Sequence, residues 1–266
     1  MELLTGFGVL CLLSCLSCSI GFIVFLWFIS VGYGLAIAVL GLAMLIIYAS
    51  NLTGGTIFLC VCLIIYGCRL SGYLLIRELK TNYKKEMKND IKQGSEVKLF
   101  VKVMIWITCG LLYVLMVSPV FFRLANGDGS DICTYIGALV CIGGIILESA
   151  ADIQKYKAKQ KDPKKFVGTG LFKIVRCPNY LGECVCWTGV FISGFTSVHG
   201  ALQWISAVVG WIAIIWIMFG GCRRLEIRQN RRNANDKEYQ RYAKTTPIMI
   251  PGVPLYSVEK YWWLVG

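Results

Sequence analysis

The residues with chemical reach in this chain of 266 collect in four short stretches. The first holds Tyr66 and Arg69, three apart, so a phenol and a guanidinium share one helix face. Together they could clamp an anion beside a phenolic donor; alternatively, Arg69 is an arginine whose stem lies in lipid while its head reaches water. The second holds Glu148, Asp152, Lys155 and Lys159, whose steps of four, three and four line one face of a helix. An i,i+4 ion-pair ladder at a membrane edge is one reading. The other is a pair of acids that receive hydroxyl groups, because lipid penalises carboxylates left inside an apolar run without a task. The third stretch runs Arg176, Cys177, Pro178, Asn179, Tyr180, Leu181, Gly182, Glu183. Pro178 suits a first helical position, and Asn179 and Glu183 stand one turn apart behind it, as site residues or as simple caps. In the fourth, Arg224, Arg228 and Arg231 share a face and offer planar forks to phosphate; a lipid-headgroup patch would look the same. Carboxylates, an amide and several arginines suit a large polyanionic cofactor, its hydroxyls held by acids and its phosphates by arginines.

These groups need elements to hold them, and those elements are apolar. Seven stretches, near 5–29, 32–49, 54–76, 100–122, 131–151, 180–198 and 201–221, could each cross a bilayer core of about 30 Å as a helix of about 20 residues. Hydrophobic residues make up 56% of the chain and charged ones 16%, with a mean hydropathy of +0.63. Soluble domains carry about 25% charged residues, so the composition points away from an ordinary cytosolic enzyme and excludes disorder and collagen-like repeats. The sequence predicts an all-α polytopic membrane bundle, one domain over 1–266, with 222–266 as a C-terminal segment closing over the site.

The charges orient that bundle. Lys and Arg number 27 against 15 Asp and Glu, a net +12. Apart from Arg69 and Arg123, every basic residue falls in 77–102, 155–176 or 223–260. Seven crossings put all three segments on one side, whereas six would scatter them. The positive-inside rule then places them and the C-terminus in the cytosol, with the N-terminus across the membrane. Such an excess reports topology and an anionic lipid surface rather than a nucleic-acid partner. The first stretch reads as a retained anchor and not a secretory signal, since it starts acidic at Glu2, is too long, and ends in no small-x-small cleavage site. Tyr261, Trp262 and Trp263 would anchor the tail at the membrane interface.

Of 13 cysteines, nearly all fall inside the predicted spans, where a thiol packs as a small apolar group; no disulfide framework and no metal site is expected. The single histidine, His199, is too few for a multi-histidine diiron centre, a His-ligated zinc or haem, and sits away from the basic loops. Gly168 and Gly170 lack the third glycine and the preceding strand of a dinucleotide loop.

Five elements carry a resemblance: Ala151-Asp152-x-Gln154-Lys155, Gly170-Leu-Phe, Arg176-x-Pro178-Asn179-Tyr180-x-Gly182-Glu183, Glu238-Tyr239-Gln-x-Tyr242 through Thr246-Pro247 to Ile250-Pro251, and Arg69-Leu-Ser-Gly-Tyr73. In order and spacing, from about Tyr66 to Pro251, they resemble the steroid 5α-reductase C-terminal family and its DUF1295 branch. The resemblance implies a seven-helix membrane reductase, by family habit in the endoplasmic reticulum, that takes NADPH from the cytosol and reduces an activated C=C bond of a lipid or steroid. It implies cofactor-binding roles for Arg69, Glu148, Asp152, Lys159, Asn179, Tyr180, Glu183, Arg224 and Arg228. Tyr66 would be the catalytic residue, polarising a substrate carbonyl. Steroid reductases carry a Gln-Glu pair in an early helix; residues 32–49 here hold neither, and Cys177 replaces the usual histidine of the Pro-Asn-Tyr element. An S-adenosylmethionine-dependent lipid or isoprenylcysteine methyltransferase shares that last element and is the alternative. Oligomeric state is not written in the sequence.

Overall fold

A computed structural model describes residues 3–79, 96–163 and 165–264. The basic residues Lys80, Lys84, Lys85, Lys88, Lys92 and Lys164 lie outside these. Among the described residues the regular structure is helical, with no strand: α1 Leu3–Cys18, α2 Val31–Ile47, α3 Gly54–Leu79, α4 Leu99–Ala125, α5 Ile132–Lys161, α6 Pro178–Ile192, α7 Gly200–Arg232 and α8 Lys237–Thr245. Six helical segments are long and apolar enough to cross a membrane, and their surfaces leave large apolar side chains bare. Leu139 is 67% and Leu202 81% exposed, a state that lipid tolerates and water does not. The chain is a multi-pass membrane protein.

Two expectations change. The stretch 5–29 is not one helix: α1 ends at Cys18, and two short 3-10 turns, Ser19–Phe22 and Phe25–Phe28, follow with Val24 extended between them. Ser19 and Ser30 hydroxyls turn back onto the carbonyls of Leu16 and Leu26. The Phe28 ring fills the place where a side chain on Gly21 would lie, so the apolar run folds upon itself. The second change is the sixth span, expected over 180–198. Its helix, α6, has 15 residues, about 22 Å of rise and short of a bilayer core, so the seven expected spans become six and one short helix. Pro178 sets its start. Its end is set by residues 193–198, which turn sharply: Gly194 packs against Pro119, 2.6 Å from where its Cβ would stand, and Ser193 gives its carbonyl to Arg123.

The contacts divide the chain into two compact units, Met1–Ala138 with Val190–Trp211, and Leu139–Gly189 with Ile212–Gly266. Each unit holds a seam of antiparallel helices built on glycine. In the first, Gly34 and Gly41 of α2 meet Gly67 and Cys60 of α3. A Cβ on Gly41 would lie 2.9 Å from the Cys60 carbonyl oxygen, and one on Gly67 would collide with the Gly34 carbonyl. In the second, Gly144 of α5 abuts the Cys186 backbone of α6, and Gly182 of α6 abuts Glu148 of α5. Without a hydrophobic drive between helices in lipid, small residues that let backbones approach are what bind such pairs.

Candidate functional site

In the second unit, the α5–α6 seam gathers the acids. A Cβ on Gly182 would stand 2.5 Å from the Glu148 amide nitrogen, so Glu148 meets α6 between Asn179 and Glu183. Glu148, Asp152 and Glu183 are all buried, and each keeps a polar or charged neighbour. Asn179, in the first turn of α6, has its Oδ1 buried with no hydrogen bond made to it. A buried carbonyl oxygen in that state calls for a donor. Tyr180 lies across Gly221 of α7, where an added Cβ would be 3.2 Å from its Cζ, with Glu183 and Arg224 within electrostatic reach.

The cations lie further along the same helices. Arg224, Ile227, Arg228, Arg231 and Arg232 line an open hollow of about 580 Å³ on α7; Asp152 and Asn179 are not part of that lining. Lys159, at the far end of α5, is partly buried and feels Arg232, Lys155 and Arg228, offset in part by Asp162. Its ammonium donates to the carbonyls of Pro163 (3.2 Å) and Lys165 (2.5 Å), and Arg232 donates to the same Pro163 carbonyl at 2.9 Å. Glu148 and Lys159 are eleven residues apart on α5, roughly 16 Å. One helix therefore carries buried acids past its middle and a surplus of cations at its C-terminal end.

Several residues that the sequence grouped with the candidate site are bound instead to the protein's own chain. Arg176 is buried and forms an ion pair with buried Glu226, Nη1 to Oε1 3.1 Å. It also donates to the Tyr256 carbonyl at 2.9 Å and to the Ala243 carbonyl at 3.4 Å. The second Glu226 oxygen accepts from the Val258 amide at 2.8 Å. Backbone bonds from Arg176 to Pro247 and from Cys177 to Ile248, 2.8 and 2.9 Å, lay the C-terminal segment beside the entry to α6. The aromatic residues of α8 complete the join: Tyr242 donates to the Phe172 carbonyl and Tyr239 to Asn230 Oδ1, both at 2.6 Å, and burial pushes the Tyr239 hydroxyl above its ordinary pKa. Gln154 accepts from the Leu171 amide at 2.9 Å, and Gly170, at φ +61, leaves that amide room to point at it. The Gln and the Gly-Leu-Phe elements thus hold the loop in place. The signal in the sequence was Glu226, the lone acid in an arginine run.

The first unit holds Tyr66 and Arg69. The α2–α3 seam that apposes Gly34 and Gly67 also apposes the residues before them: Tyr33 and Tyr66 share a hydrogen bond of 2.9 Å between their hydroxyls, with Tyr66 fully buried. Tyr33 stacks on Tyr113, ring centroids 4.9 Å apart, and Tyr113 donates to the Phe28 carbonyl at 2.8 Å. Tyr33 was missed because a tyrosine in an apolar helix is ordinary. Arg69 stands one turn beyond Tyr66 on α3 and is partly exposed.

The same unit carries a polar cluster that no sequence reading assembled. Arg123, placed in a loop by hydropathy, lies in the last turn of α4 at 1% exposure. It donates to the Ser193 and Gly129 carbonyls, to Thr196 and to Asp131. Partial burial works against the Asp131 carboxylate, but hydrogen bonds from Thr196 and Thr134 and the Arg123 charge overcome it and hold its pKa near 2.

The DUF1295 family, described as a protein of unknown function, matches residues 20–246. No curated protein and no solved structure matches the chain. The match starts in the folded-back turns before α2, takes in both glycine seams, the Asn179 helix start and the arginine face, and ends just past α8. The chain belongs to the DUF1295 family, the branch akin to the steroid 5α-reductases.

Proposed function

We propose that the protein is a membrane oxidoreductase that reduces an activated C=C bond of a lipid or steroid with NADPH, acting in the endoplasmic reticulum membrane. The observation that carries this reading is α5 itself, with buried Glu148 against the Asn179 helix and Asp152 buried one turn further on, and Lys159 within electrostatic reach of Arg228 and Arg232. NADPH would supply a hydride for the electron-poor carbon of the substrate. The residues present suit it. Asn179 Oδ1 would accept from the nicotinamide carboxamide, Glu148 and Asp152 from ribose hydroxyls, and Glu183 would support the Asn179 turn. Lys159, Arg224 and Arg228 would hold phosphates, whose charge relieves the repulsion among these cations, and Tyr180 would pack beside them. In the first unit Tyr66 would donate to a substrate carbonyl, stabilising enolate charge as it develops. Tyr33 can donate to the Tyr66 oxygen and leave the Tyr66 proton directed at the substrate.

A cationic cluster of this density argues against S-adenosylmethionine, whose reactive sulfonium is itself positive. The test is a binding titration on purified protein, following energy transfer from tryptophan to the reduced nicotinamide, with NADH and S-adenosylmethionine as comparisons. Saturable NADPH binding that weakens at least tenfold in Arg228→Ala supports the reading, since a charged hydrogen bond contributes about 1.5–3 kcal/mol. Binding of S-adenosylmethionine alone would overturn it, as would wild-type turnover of an enone panel in both Asp152→Ala and Asn179→Ala.

A further inference from the structure

The tail beyond Tyr256 runs back along α7 toward the apolar part of that helix. Glu259 takes a hydrogen bond from Asn230 at 2.6 Å through its carboxylate and one from Arg223 at 3.1 Å through its carbonyl, and Val258 bonds Glu226 at 2.8 Å. Trp263 then meets Trp216, ring centroids 5.1 Å apart. Asn230, Arg223 and Trp216 descend α7 in that order, and Trp216 lies seven residues inside Arg223, roughly 10 Å deeper along a helix. Trp216 belongs to a helix long and apolar enough to cross the bilayer. The tail's sequence follows the same gradient: Glu259 and Lys260 come first, and 261–264 carry no charge. Lys260 holds its ammonium 5.1 Å above the Tyr261 ring, a cation over an aromatic side chain of the kind that suits a membrane–water interface. Trp262 is 78% exposed, a large apolar ring that the protein leaves uncovered.

We propose that the described C-terminal residues Tyr261–Leu264 dip into the lipid interface beside α7, with Trp262 inserted among acyl chains as a second, non-helical anchor. The occupant of this face is lipid, because the strip is continuous with the lipid-facing surface of a spanning helix and fades into charge at the height where α7 does. The anchor fixes the segment that bonds Arg176 and Glu226 to the bilayer surface, and it does so whether or not a nucleotide binds.

The experiment uses the full chain without nucleotide, reconstituted in phosphatidylcholine vesicles with plain or dibrominated acyl chains. Subtracting the emission of Trp262→Phe from that of the wild type isolates Trp262 from the other seven tryptophans. The expected result is that brominated chains quench this component by at least half, while iodide quenches it less than it quenches a free tryptophan analogue. Bromine quenching below half, or iodide quenching equal to the free analogue, overturns the proposal. Trp262→Tyr gives a second subtraction with a bulkier replacement, and matching melting temperatures for both variants show that the fold is unchanged.

Discussion

The Arg176–Glu226 pair offers the sharpest test of how the C-terminal segment is held. Both side chains are 2% exposed and 3.1 Å apart. Arg176→Met leaves the Glu226 carboxylate buried with the Val258 amide bonded to its other oxygen, and strips donors from the Tyr256 and Ala243 carbonyls. Removing one member of a buried ion pair costs about 3–5 kcal/mol, because the survivor stays charged without its partner. The two carbonyls add up to about 1 kcal/mol each. Arg176 Nε already lacks a partner, so the pair is not fully compensated and the lower half of that range is expected. At about 2–4 °C per kcal/mol, the unfolding midpoint in detergent should fall on the order of 10 °C. Adding Glu226→Leu removes the stranded carboxylate, so the double variant should be less destabilised than the sum of the two single ones, with a coupling of about 2 kcal/mol or more. Protease should cut after Thr246 sooner in each single variant than in the wild type. A loss below about 1 kcal/mol in Arg176→Met, or strict additivity in the double, would refute the latch.

Gly182→Ala would place a methyl group 2.5 Å from the Glu148 amide nitrogen. Overpacking against backbone costs about 1–3 kcal/mol, measurable as a lower melting temperature and weakened NADPH binding, while Gly143→Ala, with open space around it, should change neither. Asp131 has a folded pKa near 2 against about 3.9 unfolded. Its stabilisation is therefore complete above about pH 4 and disappears as pH falls through 2; thermal melts across that window should show it, and Asp131→Asn should flatten it. The Arg228→Ala variant should bind NADPH with a shallower dependence on salt than the wild type, because one exposed phosphate contact is gone.

Much of this architecture is legible in composition and periodicity, since helices in lipid must be long, apolar and separated by charge. The breaks were not. A bend at residues 19–30 is invisible when the residues on both sides are equally apolar, and it becomes visible only when Phe28 is seen lying on Gly21. The shortness of α6 comes from tertiary bonds to Ser193 and from Pro119 against Gly194, partners some seventy residues away in the chain. Within the candidate site, helical spacing grouped Glu148 with Asp152 and Arg224 with Arg228. It could not tell that Arg176 is absorbed in holding Glu226, or that Gln154 serves a loop amide. Both have side chains of the right chemistry for ligand binding, and only the identity of their partners separates architecture from function. Tyr33 is the converse case, an inconspicuous residue given a role by the glycine seam behind it.

That seam logic has an evolutionary corollary for α5 and α6. Where backbone rests on backbone there is no side chain to trim or enlarge, so the register of the two helices is immune to gradual tuning. Any drift in the chemistry these helices present would have to come from the outlying positions, with the Glu148–Gly182 crossing as the fixed pivot.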